Sequence, residues 1–289
     1  MKVRTEDGVT TFTIRQSWWN TFLRCPESAR REMLGLDERR VSDAMAMGTA
    51  THAGIESLLQ GDEPALALLK SCESFDDILS GSDGVFEWVQ QRNREEALTL
   101  VRYALMSFYS HVLPTVGTVA SLEQSFRVEL DRRYLALTED WYKPGEPLHG
   151  EEVLELTGTW DMANTAAVIY DWKTANREWS AWEPKRYYVQ PTIYNYAYSV
   201  LNDGELPTFK YIVLNKTGKV APPQIIPVKR SQSDFDWMKM ALWNIVDLYK
   251  STNNGQTSWP LLDQGWHCSP KWCDAWSECK GKAMGDSPW

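Results

Sequence analysis

Apolar positions recur at helical spacing over the first part of the chain and alternate after Gly117. Trp18, Phe22 and Leu23 fall on one helical face, which predicts a helix over 17–34 with Ser17 as N-cap. A second helix is predicted over 42–60, opened by Ser42 and closed near Gly61. Residues 86–112 carry a long amphipathic helical pattern ending before Pro114. Alternation over 118–130 predicts a strand. Polar residues 139–151, with Pro144, Gly145, Pro147 and Gly150, are expected to loop. Strands follow over 153–162 and 166–172, and the short link Ala163-Asn164-Thr165 makes them a hairpin. A helix is expected over 182–202, with Tyr187, Tyr188, Ile193, Tyr194, Ala197 and Tyr198 at its apolar and aromatic positions. Strands over 208–214 and 224–228 and a helix over 233–250 complete the periodic part, and the tail is rich in Trp, Cys and Gly.

Helices, then strands, then helix, strands and helix imply an α/β core behind an N-terminal helical portion. No strong linker interrupts the pattern, so one domain over 1–289 is expected. Its parts would be a helical portion over 1–116, a core over 117–255 and a tail over 256–289. That length is within reach of a single mixed domain. No apolar run is long enough to span a membrane, and no apolar stretch follows the charged N-terminus, so a cytoplasmic protein is expected.

The net charge of -9 speaks against a protein that coats nucleic acid. It leaves room for an enzyme that holds metal with carboxylates and binds phosphate through a local basic patch. Arg24, Arg30, Arg31, Arg39 and Arg40, or Arg127, Arg132 and Arg133, could form such a patch, or simply be solvated surface.

Two groups of residues bear chemistry. Gly158-Thr159-Trp160-Asp161 and Tyr170-Asp171-Trp172-Lys173-Thr174 lie at strand ends of the expected hairpin, close enough to share a metal. A hard divalent cation takes oxygen ligands, polarises a phosphoryl oxygen and lowers the pKa of bound water. A neighbouring lysine orients that water or offsets charge growing on phosphate. Upstream, Gly48-Thr49-Ala50-Thr51-His52 puts a histidine on a helix. Downstream, Gln190 and Tyr194 share a helical face at i and i+4. Glu123, on the strand before the hairpin, is a further acidic candidate.

Gly-x-x-x-His, Gly-x-x-Asp, Asp-x-Lys and Gln-x-x-x-Tyr, in that order over residues 48–194, resemble the PD-(D/E)XK nucleases of the RecB type. The resemblance implies a restriction-endonuclease-like core, a mixed central sheet flanked by helices. It implies a DNA exonuclease dependent on magnesium or manganese. His52, Asp161, Asp171 and the Trp172 carbonyl would bind the metal. Lys173 would serve the attacking water, and Gln190 and Tyr194 would support the site and the strand.

The second group is Cys268, Cys273 and Cys279, with Cys25 as a fourth candidate. Four thiolates suit either zinc or an iron–sulfur cluster. The missing Cys-x-x-Cys knuckle favours the cluster. A Cys before Pro near the N-terminus and three beyond the core resemble the iron–sulfur branch of this family. That branch includes AddB-type helicase-nucleases and CRISPR-associated adaptation exonucleases. The resemblance implies a 4Fe-4S clasp. The branch usually has two residues between the first two tail cysteines; here there are four, which leaves His267 as an alternative ligand. Cys72 is read as a small buried residue. Trp259, Trp266, Trp272, Trp276 and Trp289 would shield the cluster, or one or two would stack on bases. With no Gly-x-x-x-x-Gly-Lys-Ser/Thr loop, any motor must come from a helicase or recombination partner. The competing readings are a catalytically inactive relative that binds DNA or a partner, and a zinc-stapled interaction module.

Overall fold

The structure, a computed structural model, describes residues 1–37, 40–81, 86–91, 93–130, 151–216, 218–261, 267–270 and 272–284. The expected loop over 139–151 lies outside the described residues except for Glu151, which begins a strand, and Arg39, Arg132, Arg133, Trp266 and Trp289 also lie outside them.

In chain order the elements are β1 (Lys2–Glu6), β2 (Val9–Arg15), α1 (Gln16–Arg24), α2 (Pro26–Leu34), β3 (Val41–Ser42), α3 (Asp43–Leu59), α4 (Pro64–Gly81), β4 (Phe86–Glu87) and α5 (Arg94–His111). There follow β5 (Val119–Leu130), β6 (Glu151–Asn164), β7 (Val168–Ala175), α6 (Glu183–Arg186), α7 (Gln190–Leu201), β8 (Thr208–Asn215), β9 (Gln224–Val228), α8 (Gln232–Ser251) and α9 (Lys280–Met284). The chain divides into two compact units. The first comprises Met1–Arg39, Phe126–Gly158 and Ser231–Trp289; the second comprises Arg40–Ser125 and Thr159–Arg230.

The first unit opens with strands, where a purely helical start was expected. Asp7 and Gly8 both take positive φ, the two-residue turn that closes a hairpin between β1 and β2. In β2 the buried residues Thr10, Phe12 and Ile14 alternate with less buried ones, and β2 pairs in parallel with β6 from Val9↔Glu151 to Arg15↔Thr157. The helix expected over 17–34 is two helices. Cys25 is extended at φ -160°, ψ 110°, as the residue before a proline prefers, and Pro26 starts α2. The first of them begins at Gln16, so Ser17 does not cap it. Glu27 and Arg30 form a buried bidentate ion pair, 2.7 Å at each bond. Arg30 also donates to the Gly255 carbonyl (2.9 Å), and the Trp259 backbone N–H donates to Glu27 (2.8 Å). This pair fastens α2 to the segment after α8.

The second unit carries the mixed sheet. β6 and β7 are antiparallel, β7 and β8 parallel, β8 and β9 antiparallel; β5 pairs with β6. Met162, Tyr170, Trp172, Ile212 and Leu214 turn one face of the sheet to Ile55 and Leu58 of α3 and Leu105 and Phe108 of α5. Side chains alternate along a strand, so Asp171 and Lys173 turn to the other face. There α7 packs, with Tyr194 against Phe209. The result is an α/β fold with helices flanking a mixed sheet.

Local chemistry sets the helix limits. Ser42 Oγ accepts from the Met45 N–H and starts α3. A Cβ on Gly54 would lie 2.2 Å from Ser71 Oγ, so this glycine lets α3 and α4 approach closely. The helix expected over 86–112 starts only at Arg94, because Asn93 caps it. The Asp43 carboxylate accepts the N–H groups of Val89, Gln90 and Gln91 and holds that stretch outside the helix. Among the described residues no helix is long and apolar enough to cross a membrane.

Candidate active site

Three elements converge at one end of the second unit's sheet. α3 supplies His52, β5 supplies Glu123, and β6 supplies Asp161; each offers a ligand atom within 4.8 Å of the others. His52 Nδ1 lies 3.6 Å from Asp161 Oδ1. His52 Nε2 lies 2.9 Å from the Trp172 carbonyl oxygen, a bond that assigns the proton to Nε2 and leaves the Nδ1 lone pair toward the carboxylates. The Trp172 N–H donates to Asp161 Oδ2 at 2.7 Å, so the β6–β7 pairing itself fixes Asp161. Glu123 takes a positive φ of 42°, rare for a residue other than glycine. That backbone cost, inside a strand, aims its carboxylate. Beside these groups lies a groove of about 540 Å³ lined by Met45, Gly48, Thr49, His52, Ala53, Glu56 and Glu123.

Asp171 sits next to this group and is 1% exposed. Its Oδ1 accepts from Gln190 Nε2 at 2.6 Å. Its Oδ2 is paired with the Lys173 ammonium, 2.5 Å away. Gln190 Nε2 also donates to Tyr194 Oη (3.1 Å), Tyr194 donates to the Thr159 carbonyl (2.6 Å), and Tyr211 donates to Gln190 Oε1 (3.2 Å). The i, i+4 pair read from the sequence thus acts through Asp171.

The electrostatics describe a site short of positive charge. Desolvation of the carboxyl end of Glu123, then the Asp161 charge, push it up to about 7, although much of the residue is open to solvent. Burial pushes Asp171 up to about 6, Asp161 adds to the shift, and Lys173 opposes it. Burial works to lower Lys173, but Asp171 and Asp161 outweigh it and hold its pKa above the ordinary value. Burial keeps the Tyr194 and Tyr211 phenols protonated, with pKa values well above the usual range. A crowded carboxylate set whose members raise one another's pKa, with a histidine nitrogen beside it, fits a hard divalent cation.

The sequence family described as the PD-(D/E)XK nuclease superfamily matches residues 16–280. The chain belongs to the PD-(D/E)XK nuclease superfamily. A crystal structure of a "putative exonuclease" from Eubacterium rectale superposes with a TM-score of 0.54 at 12% identity, covering 96% of this chain and 90% of that one. At that identity the likeness speaks for the fold alone. A second solved structure, SSO0001, has a TM-score of 0.31 at 12% identity, covering 89% of this chain and 95% of that one, too low to bear on the fold. No curated protein matches the sequence.

Within this superfamily member, His52, Asp161, Asp171, Lys173, Gln190, Tyr194 and the Trp172 carbonyl fall in one neighbourhood, and Glu123 belongs with them. Glu56, four residues after His52 on α3, lines the same groove. The thiols differ from expectation. None of the five cysteines is in a disulfide. Among the described residues no three of them offer sulfurs within 4.8 Å of one another. They do sense each other. Burial raises Cys273, and the charges of Cys268, Cys25 and Cys279 raise it further; burial and then Cys25 raise Cys279. Backbone hydrogen bonds of Ala275 and Lys280 work the other way on Cys273 and Cys279. Cys72 is half-buried. Trp259 is buried against Trp18 and Phe22, and Trp272 is exposed. Arg30, Arg31, Arg40 and Arg127 are each paired with a carboxylate, which argues against a basic patch built from them.

Proposed function

We propose that the protein is a divalent-metal-dependent deoxyribonuclease that degrades DNA from ends, with a preference for single strands. The observation that carries this reading is the meeting of His52, Glu123 and Asp161 beside the ion pair of buried Asp171 and half-buried Lys173, in a chain of this superfamily. Magnesium or manganese would be held by His52 Nδ1, Glu123, Asp161 and Asp171 Oδ2, with a second lone pair of the Trp172 carbonyl in reserve. When bound, such an ion supplies Lewis acidity toward a phosphoryl oxygen and a water of lowered pKa.

The chain's own groups do the rest. Gln190 holds Asp171 Oδ1 so that Oδ2 stays turned toward Lys173. The Lys173 ammonium stays charged and offsets negative charge developing on the phosphate. His52 donates through Nε2 to Trp172 and keeps its other nitrogen for the ion. Tyr194 ties α7 to β6 through the Thr159 carbonyl.

A 4Fe-4S cluster on Cys25, Cys268, Cys273 and Cys279 belongs to the same proposal. It would join the α1–α2 corner to the tail within the first unit. Tetrahedral zinc, with Zn–S near 2.3 Å, needs thiolates about 3.8 Å apart. The missing Cys-x-x-Cys knuckle favours the cluster over such a zinc site. A helicase or recombination partner would deliver unwound strands.

The test is an anaerobic preparation incubated with Mg²⁺ or Mn²⁺ and strands labelled at either end. Release of short products from one end of single strands, stopped by chelator, is expected. Cutting that persists in excess chelator, or no cutting of any strand, rejects the reading.

A further inference from the structure

Between β7, which carries Asp171 and Lys173, and α7, which carries Gln190, the chain crosses a stretch of aromatic and basic residues. Trp182 and Tyr187 are 55% and 59% exposed, unusual for rings of this size. Their centroids lie 5.6 Å apart with planes at 71°. The Arg186 guanidinium lies 5.6 Å from the Tyr187 centroid. Lys185 and Arg177 are exposed in the same stretch, against Glu178 and a half-buried Glu183, so the stretch is net positive in a chain of net charge -9.

This stretch is held in place. Arg230 donates to the carbonyls of Pro184, Lys185 and Tyr188 and to Thr192 Oγ1. Gln224 exchanges two 2.8 Å hydrogen bonds with the Trp179 backbone. Trp179 and Tyr188 pack edge-on against Tyr211, whose hydroxyl reaches Gln190, which reaches Asp171. The exposed rings thus lie in a stretch of backbone whose neighbouring aromatic residues, Trp179 and Tyr188, pack through Tyr211 and Gln190 toward the acidic site.

We propose that Trp182 and Tyr187, with Arg186 beside them, form a stacking platform for unpaired bases of the nucleic-acid strand entering the acidic site. The inference rests on the nuclease reading and adds how the strand is gripped. Every base has a π face, so aromatic stacking holds a single strand without reading sequence, while neighbouring cations hold its phosphates. An apolar protein partner would match the rings but not the interleaved cations. In a duplex the bases stack on each other and cannot reach the platform, so single strands are favoured.

The test measures binding of the full chain, in excess chelator, to a fluorescent dT oligonucleotide and to an abasic strand of equal length. Stacking contributes about 1–3 kcal/mol per base, which converts to roughly 5- to 150-fold in affinity. The wild-type protein should bind dT about tenfold or more tightly than the abasic strand. The double variant Trp182→Ala, Tyr187→Ala should lose that preference while binding the abasic strand as before, and Trp182→Phe should keep most of it. Arg186→Ala should weaken both strands alike and lessen the salt dependence. Equal affinity of wild type for dT and abasic strands overturns the proposal, as does a double variant that keeps the preference. So does a double variant whose only change is loss of self-association in sedimentation, since the rings would then serve a second copy of the chain. Binding is read without metal. A protein that prefers dT yet cuts nothing with Mn²⁺ keeps the platform and loses the nuclease reading; one that cuts without base preference does the reverse.

Discussion

Replacing Asp171 by Asn should abolish cutting and yet stabilise the metal-free protein. The side chain is 1% exposed, and burial raises its pKa from 3.8 to about 6 with the attraction of Lys173 already included. A pKa raised in the folded state means that the ionised form is penalised there. The penalty is complete above about pH 6 and fades as the pH falls toward the unfolded value of 3.8, below which the group is protonated in both states. Two units at about 1.36 kcal/mol each give roughly 3 kcal/mol at pH 8. Asn keeps the shape and can still accept from Gln190, while Lys173, about one-third exposed, can turn to water. The net gain should be on the order of 1–3 kcal/mol, a rise of roughly 2–10 °C in Tm for a chain of this size. The assay is thermal unfolding of both proteins in excess chelator at pH 8 and pH 4.5, then at pH 8 with Mn²⁺. The variant should melt higher at pH 8 without metal, with a smaller difference at pH 4.5, and should gain little from Mn²⁺ while the parent gains much. If Asp171–Lys173 were a structural ion pair, breaking it would cost about 3–5 kcal/mol. A lower Tm for the variant at pH 8 in chelator would therefore refute the reasoning.

Gln190→Ala removes the hydrogen bond to Asp171 Oδ1 and should weaken Mn²⁺ binding about 10- to 100-fold in calorimetric titration; an unchanged Kd contradicts the role given to Gln190. Cys279→Ala should lose iron and brown colour in an anaerobic preparation, whereas Asp171→Ala should keep both, because the two sites draw on different residues; a brown, iron-replete Cys279→Ala protein shows that the ligands are wrong.

What the sequence made legible was whatever wrote itself in period or local chemistry. β5 to β9, α3 and α8 came from alternation and helical spacing, with limits within a few residues. The Asp-x-Lys and Gln-x-x-x-Tyr residues came from strand ends and i, i+4 spacing. β2 was hidden because threonines occupy its positions along with Phe12 and Ile14, which dilutes the apolar signal; the Asp7–Gly8 turn was the clue to it. The break at Cys25 was written in Pro26, since the residue before a proline resists the helix, and the start of α7 in Pro191, which suits a helix's first turn. α4 shows only Ala67, Ser71 and Phe75 buried, too sparse a stripe to read. The part of Glu123 was hardest to see, because it depends on a positive φ in mid-strand that no local pattern announces. The Glu27–Arg30 link to the tail was also invisible, since its partners Gly255 and Trp259 lie more than 200 residues away.

The central claim is that these carboxylates and Lys173 cleave phosphodiester bonds with a divalent ion. It is tested most directly by single-turnover cutting of an end-labelled single strand in Mn²⁺, comparing the wild type with Lys173→Ala prepared in parallel. Loss of the ammonium's stabilisation of growing charge should slow cutting about 100- to 1,000-fold, with Mn²⁺ binding retained. A Lys173→Ala protein that cuts at the wild-type rate would contradict the account.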